Sequence, residues 1–309
     1  MLISPLCVNA EALTYNEASN MVQEVMKQYY VRGPYFQYNY AKAEYYNLDP
    51  EEGTVQDNKY TVCAGFTHNV YNQAFGIKGP TTYMSGENTF KENAFPQYNY
   101  HIVYAAQHAY QKIKNKTIKD DGNLLLYYQS NVNTKDTGGD GKGRDGEIVK
   151  YVYGDTNTNS DEGDFETLVK NVKPGDLVVF SGHALIVYDS VDTNGDGKKD
   201  DILILNATGG GNEIASRIAS TSSLYYSAFP STRKGSDILT LEKEGLFELI
   251  LLSQQPRFGS SKTLKCKNTG SNAVDECAVV RPFYKDSNGN TCISILCDKL
   301  DEAHHHSKE

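Results

Sequence analysis

The sequence predicts an α+β fold, with helices in the N-terminal half packed on an antiparallel β meander in the C-terminal half. Three observations predict it. Apolar residues recur at helical spacing in stretches between residues 14 and 114. Short β-rich runs between residues 176 and 205 are joined by turn residues. Helices come first and the meander second, which is the order of an α+β domain. The 309 residues suffice for one large domain, or one domain with a small appendage.

Composition narrows the function classes. Hydrophobic residues are 39% of the chain and glycines number 26, a share that permits a core and excludes disorder throughout. With 39 acidic against 30 basic residues the formal charge is −9. Such a surface repels phosphates, which argues against a nucleic-acid binder that works by backbone neutralisation. No stretch approaches the roughly 18 consecutive apolar residues of a membrane span; the run 246–252 is short and contains Glu248. Tryptophan is absent and tyrosines number 23, which suits a wet, polar binding surface.

The elements follow in chain order. Residues 1–12 pass from an apolar run into Ala10-Glu11-Ala12, the small-x-small form of a signal-peptide cleavage site. They read as the remnant of a secretory signal or as an N-terminal strand, and the bulky Leu6 disfavours lipid attachment at Cys7. Thr14-Tyr15-Asn16-Glu17 has the capping-box form and opens an amphipathic helix to about Tyr30. Met21, Val22, Val25 and Met26 are expected on its buried face, and Gly33-Pro34 stops it. Residues 35–60 lack a clear period and read as loops around one short helix near 41–46. Phe66, Val70 and Ala74 fall at i, i+4 and i+8 before Gly76, so a buried helix starts near Cys63. Another helix is expected over about 100–114, with Ile102, Val103, Ala106 and Ala109 apolar. Residues 136–164 read as a surface loop around a short strand at 148–153. Then comes the meander. Pro174-Gly175 turns into a strand at 176–180, Ser181-Gly182 turns again, and His183–Tyr188 runs back. After the Asp-rich loop 189–201, a third strand follows at 202–205. Residues 13–255 thus form the main domain and 256–309 a small Cys-rich appendage, whose closing His304–His306 is set aside as a tail or tag.

Six cysteines sharpen the compartment: Cys7, Cys63, Cys266, Cys277, Cys292 and Cys297. The last four are clustered, which in a secreted chain reads as two disulfides. Zinc is the rival, but the spacings contain no C-x-x-C pair. Cys63 stands alone in the main body. It sits at an expected helix N-terminus, where unsatisfied backbone N–H groups and the helix dipole favour an anion, so its thiol is expected to ionise readily. A thiolate nucleophile needs a base. His68 lies about 140° round the same helix and does not easily face the thiol, while His101 and His108 read as structural. His183 opens a strand after a tight turn, at an edge that can meet a helix N-terminus. Asn206 ends the next strand and can lie beside His183, fixing its ring without adding charge. Cys63, His183 and Asn206 therefore form a candidate Cys-His-polar triad.

These residues sit in strings that carry a resemblance. Tyr60-Thr-Val-Cys63-Ala-Gly-Phe66, continuing to Tyr71 and Gly76, resembles the nucleophile helix of NlpC-type cell-wall peptidases, which are papain-like cysteine hydrolases. Lys173-Pro-Gly-Asp-Leu-Val-Val-Phe180 and Gly182-His183-Ala-Leu-Ile-Val-Tyr188 resemble its PGD strand and His strand, and Arg32-Gly33-Pro34-Tyr35 is similar to its upstream Gly-x-Pro-Tyr motif. The motifs span roughly residues 30–210. The resemblance implies a papain-like core and a secreted bacterial peptidase or amidase acting on peptidoglycan stem peptides. Cys63 would be the nucleophile, His183 the base and Asn206 the third polar residue. The Cys63 N–H would serve the oxyanion, and Tyr35, or Tyr38, would hydrogen-bond near the thiol. Departures are Val62 where the family has Asp, and Ala64 where it has Ser. CHAP amidases share the same residue types.

Asp192-Thr-Asn194-Gly-Asp196-Gly197-Lys-Lys-Asp200 places oxygen ligands at positions 1, 3, 5 and 9 and the turn glycine at 6, the front half of an EF-hand-type loop. Leu203 stands where the bidentate Glu belongs. Asp201 is expected to supply that carboxylate and Lys198 its carbonyl, giving a structural Ca2+ that stiffens the loop between the His183 and Asn206 strands. The other reading is a solvated hairpin turn. No cofactor is required for the chemistry itself. Besides the thiol hydrolase, two functions stay open: a non-catalytic wall-binding or adhesin module, and a transglutaminase-like acyltransferase.

Overall fold

The computed structural model describes residues 13–31, 36–38, 59–75, 102, 106, 109–111, 113–116, 125–130, 149–154, 164–180, 183–207, 246–254, 276–285 and 291–293. The expected signal remnant 1–12, Tyr35, the short helix near 41–46, His101, His108 and cysteines 7, 266 and 297 lie outside the described residues.

The capping box forms. Thr14 N–H donates to Glu17 Oε2 at 2.7 Å and Glu17 N–H donates back to Thr14 Oγ1 at 3.2 Å, opening α1 (Tyr15–Val31). Its buried face is Ala18, Val22, Met26 and Tyr29, at i, i+4, i+8 and i+11. Met21, expected on that face, is 38% exposed, because it lies about 100° round from Val22. Next, β1 (Phe36–Tyr38) pairs in parallel with β2 (Lys59–Thr61), Tyr38 opposite Thr61. Val62 follows, and α2 (Cys63–Phe75) begins, burying Phe66, Val70, Tyr71 and Ala74. In the stretch 102–114 the described residues are helical. Ile102, Ala106, Ala109, Tyr110 and Ile113 are buried there, again at helical spacing.

Among the described residues the main sheet has seven strands, every neighbouring pair antiparallel, in the order β4-β3-β9-β5-β6-β7-β8. They are β3 (Leu125–Ser130), β4 (Val149–Val152), β5 (Leu177–Phe180), β6 (His183–Val191), β7 (Asp201–Ala207), β8 (Phe247–Leu251) and β9 (Glu276–Val280). The expected meander is thus its β5-β6-β7 part. A short helix, α3 (Phe165–Asn171), precedes β5, and a hairpin of β10 (Phe283–Lys285) and β11 (Thr291–Ile293) follows β9. The α+β class with an antiparallel sheet is what the order of elements predicted.

Apolar residues cover the sheet on both faces. Ile186, Tyr188, Leu203, Leu205, Phe247 and Leu249 join one cluster with α1 and α2, while Leu185, Ile202, Ile204 and Ile250 join another with Phe165, Leu168 and Val169 of α3. All seven residues of β7 are buried, which is why it reads as a near-continuous apolar run rather than an alternation.

One expectation is corrected. Residues 276–280 of the expected appendage 256–309 belong to the main sheet instead: they form β9, which lies between β3 and β5, with Val280 opposite both Leu125 and Leu177. Its residues Cys277, Ala278, Val279 and Val280 are buried, and a strand buried on both faces needs neighbours on both edges. Cys277 is disulfide-bonded, which removes it as a zinc thiolate.

Two features tie the sheet to the helices. Tyr29, Phe36, Phe66 and Phe247 form an aromatic cluster with centroids 4.7–5.7 Å apart, joining α1, β1, α2 and β8. The Pro174-Gly175-Asp176 turn is held from several sides. Gly175 takes φ +97°, a left-handed conformation that suits glycine, and its carbonyl accepts the Tyr71 hydroxyl of α2. Asp176, fully buried, receives a bidentate pair from Arg281, Nε and Nη2 each at 3.0 Å, and the Lys173 N–H at 2.7 Å. Burial pushes the Asp176 carboxyl up, against the pull of that guanidinium.

Candidate active site

Val62 breaks from β2 and α2 starts at once: the Phe66 N–H bonds the Val62 carbonyl at 2.8 Å, so Val62 caps and Cys63 is the first helical residue. The Cys63 N–H therefore precedes the first intrahelical bond. Its thiol is 5% exposed and unoxidised. No acidic residue occupies the first turn to oppose a thiolate there.

His183 is the first residue of β6. Its Nε2 lies 2.6 Å from Asn206 Oδ1. An amide oxygen only accepts, so Nε2 carries the proton and Nδ1 is left to take one. The register brings the pair together. Ile186 is opposite Leu205, and two-residue alternation puts His183 and Asn206 diagonally on one face with Leu185 and Ile204. Asn206 in turn donates from Nδ2 to Glu248 Oε2 at 3.4 Å, directly across the β7–β8 pair. Helix α2 packs on the other face, and the imidazole reaches the thiol from the first position of β6.

The thiol is drawn down from 9.0 to about 7. Burial pushes it up. That push is overcome by the His183 side chain, through its hydrogen bond and its charge, by the backbone N–H of Ala184, and by the Tyr38 hydroxyl. Tyr38, one of the two tyrosines expected near the thiol, is thus brought to the sulfur, while Tyr35 lies outside the described residues. The parallel pairing explains it: Tyr38 opposite Thr61 sits beside the strand that runs into Cys63, and Phe36 two residues earlier anchors β1 in the aromatic cluster. His68 is buried within α2.

Chemically, this arrangement can generate a nucleophile at neutral pH. Nδ1 of His183 accepts the thiol proton, Asn206 keeps the ring in the right tautomer, and the helix start offers N–H groups to a developing oxyanion. Glu248 escaped the sequence reading as a site residue. Its signal was present: one carboxylate inside the apolar run Leu246–Leu252.

The Asp-rich loop folds on itself. Asp192 accepts the N–H groups of Asn194, Gly195 and Gly197 at 3.2, 2.7 and 2.7 Å, and Gly197 takes φ +85°. Two of the expected calcium ligands turn elsewhere. Asp200 accepts both the N–H and the hydroxyl of Thr193. Asp201, 1% exposed, begins β7 and accepts the Ser253 N–H and hydroxyl, so it faces the sheet rather than the loop. Asp192, Asn194, Asp196 and the Lys198 carbonyl keep their places along the loop. Among the described residues, no three His, Cys, Asp or Glu gather closely enough to hold a metal ion. A cleft of about 1230 Å3 opens between α3 and this loop, lined by Lys170, Lys199 and Asp200 among others. It reaches Ser190, seven residues from His183 along β6, or roughly 23 Å. It is therefore remote from the thiol.

No helix among the described residues is long and apolar enough to cross a membrane. The chain matches no protein-family model, no curated protein and no solved structure.

Proposed function

We propose that this chain is a secreted cysteine hydrolase with a papain-like core, cleaving amide bonds in peptidoglycan stem peptides. The observation that carries the chemistry is the Cys63–His183–Asn206 arrangement with a thiol drawn down to about 7. The wall substrate and secretion rest on the resemblance of the Cys63, PGD and His183 strings to NlpC-type peptidases. In the first step His183 Nδ1 takes the thiol proton and the sulfur attacks the amide carbon. The C–N bond breaks as the imidazolium protonates the leaving amine, leaving a thioester on Cys63. Water, deprotonated by the same ring, then attacks the thioester carbon and releases the acid and the thiol.

A transglutaminase-like reaction would differ only in the acceptor, an amine in place of water. A wall-binding module would need none of the thiol activation, so the lowered pKa favours the enzyme. The deciding experiment incubates wild type and Cys63→Ala with peptidoglycan fragments and analyses products by mass spectrometry. Cleavage lost in the variant supports the hydrolase, and the product masses identify the bond. An intact digest with wild type, together with slow Cys63 alkylation at neutral pH, overturns it in favour of a binding module.

A further inference from the structure

We propose that Glu248 is a positioning residue of this site, the fixed acceptor that locks the Asn206 amide with its oxygen towards His183. The proposal rests on the thiol-hydrolase reading above and extends it by one residue.

An asparagine amide has two nearly isosteric ends, and only one suits this site. Oδ1 accepts from His183 Nε2 at 2.6 Å while Nδ2 donates to Glu248 Oε2 at 3.4 Å. Flipping the amide would turn its NH2 against the ring N–H and its oxygen against the carboxylate, losing both bonds and creating two repulsive contacts. Glu248 therefore makes one orientation of Asn206 the stable one. Without it, His183 would meet an amide free to present either end, and the ring would lose the partner that keeps Nδ1 unprotonated towards Cys63. The position is costly to hold. Glu248 is 4% exposed, its strand neighbours Phe247 and Leu249 are core residues, and Ile250 and Leu252 share its own face. An ionisable side chain in such surroundings is disfavoured unless its oxygens are used. The lock is also rigid. Asn206 and Glu248 are opposite each other in the β7–β8 ladder, and Phe247 pins β8 to Phe66 of the helix that carries Cys63 at 4.7 Å between ring centroids.

Two conservative variants separate acceptor geometry from charge and from volume. Glu248→Gln keeps the length and offers an amide oxygen to Asn206 without charge. Glu248→Asp keeps the charge but withdraws the acceptor by one methylene. The readout is the rate of iodoacetamide alkylation at Cys63 at neutral pH, followed on the Cys63 peptide by mass spectrometry, which requires no substrate. Glu248→Gln is expected to match wild type, whereas Glu248→Asp should fall by about three- to fivefold, bounded by the loss that removing His183 itself gives. In an Asn206→Ala background the difference between the two substitutions should shrink, since the part of it that runs through that amide is already lost. Wild-type alkylation in Glu248→Asp overturns the proposal, as does a rate in Glu248→Gln as slow as in Glu248→Asp. Peptidoglycan digestion by the same proteins distinguishes the two readings. The expected alkylation pattern without turnover by wild type leaves the lock standing and removes the hydrolase. Turnover by wild type with unresponsive alkylation does the reverse.

Discussion

Replacing His183 by alanine tests the chemistry of the site most directly. His183 contributes the two largest pulls that lower the Cys63 thiol, a hydrogen bond and a charge. Burial pushes the other way and would remain. The thiol should therefore rise from about 7 to 9.0 or beyond. Because a thiol is charged when deprotonated, the lowered value means that wild-type thiolate is present above about pH 7 and is lost as the pH falls through it. At pH 7 a thiol titrating near 7 is about half thiolate, and one titrating near 9 about 1%, a ratio of roughly 50. The intrinsic nucleophilicity of a thiolate falls with its pKa, at a Brønsted slope of about 0.4–0.5, so two pH units return about tenfold to the variant. The net rate loss at pH 7 is then only about fivefold. The midpoint of the pH–rate profile is the sharper measurement, since limited access to a buried sulfur scales every rate equally. Alkylation of Cys63 followed from acid to alkaline pH should give a wild-type midpoint near 7 and a His183→Ala midpoint at or above 9. A wild-type midpoint in the ordinary cysteine range, or a variant midpoint that stays near 7, would refute the reasoning.

Other outcomes follow from the same geometry. Tyr38→Phe removes one donor to the sulfur and should raise the alkylation midpoint, by less than His183→Ala does; an unchanged midpoint would put the hydroxyl outside the site. Arg281→Leu strands the Asp176 carboxylate in the core and should cost about 3–5 kcal/mol in urea unfolding, whereas a loss below about 1 kcal/mol would show the pair to be dispensable. Asp164→Ala removes the N-cap of α3, whose side chain accepts the Thr167 N–H at 3.0 Å, and should cost about 1 kcal/mol by the same assay. Millimolar Ca2+ should raise the melting temperature if the 192–200 loop takes the ion, by about 2.7 kcal/mol of added stability at a hundredfold excess over Kd. Asp192→Ala should abolish that rise, and no rise in wild type identifies the loop as a self-bonded turn.

Local signals in the sequence were read well where local physics decides the outcome. The capping box at Thr14 and Glu17 depends on residues three apart, and it forms. The helix start at Cys63 follows from the apolar spacing behind it. The strand starting at His183 follows from the turn before it and the β-branched and apolar run after it. Asn206 was legible because antiparallel strands joined by a loop lie beside one another. The strand at 125–130 and the helix at 165–171 were missed, although Leu-Leu-Tyr-Tyr in the first and the Asp164 cap of the second were signals in plain view.

What the sequence by itself determined is the α+β class and the neighbourhood of thiol, imidazole and amide, since each rests on spacing within an element or between consecutive strands. Only the tertiary structure decided that Tyr38 reaches the sulfur, that Glu248 stands behind Asn206, and that residues 276–280 complete the middle of the sheet. Each of these depends on pairing between segments far apart in the chain. Such pairing is chosen by the burial of whole faces and edges, a property of the assembled sheet that no short stretch of sequence contains.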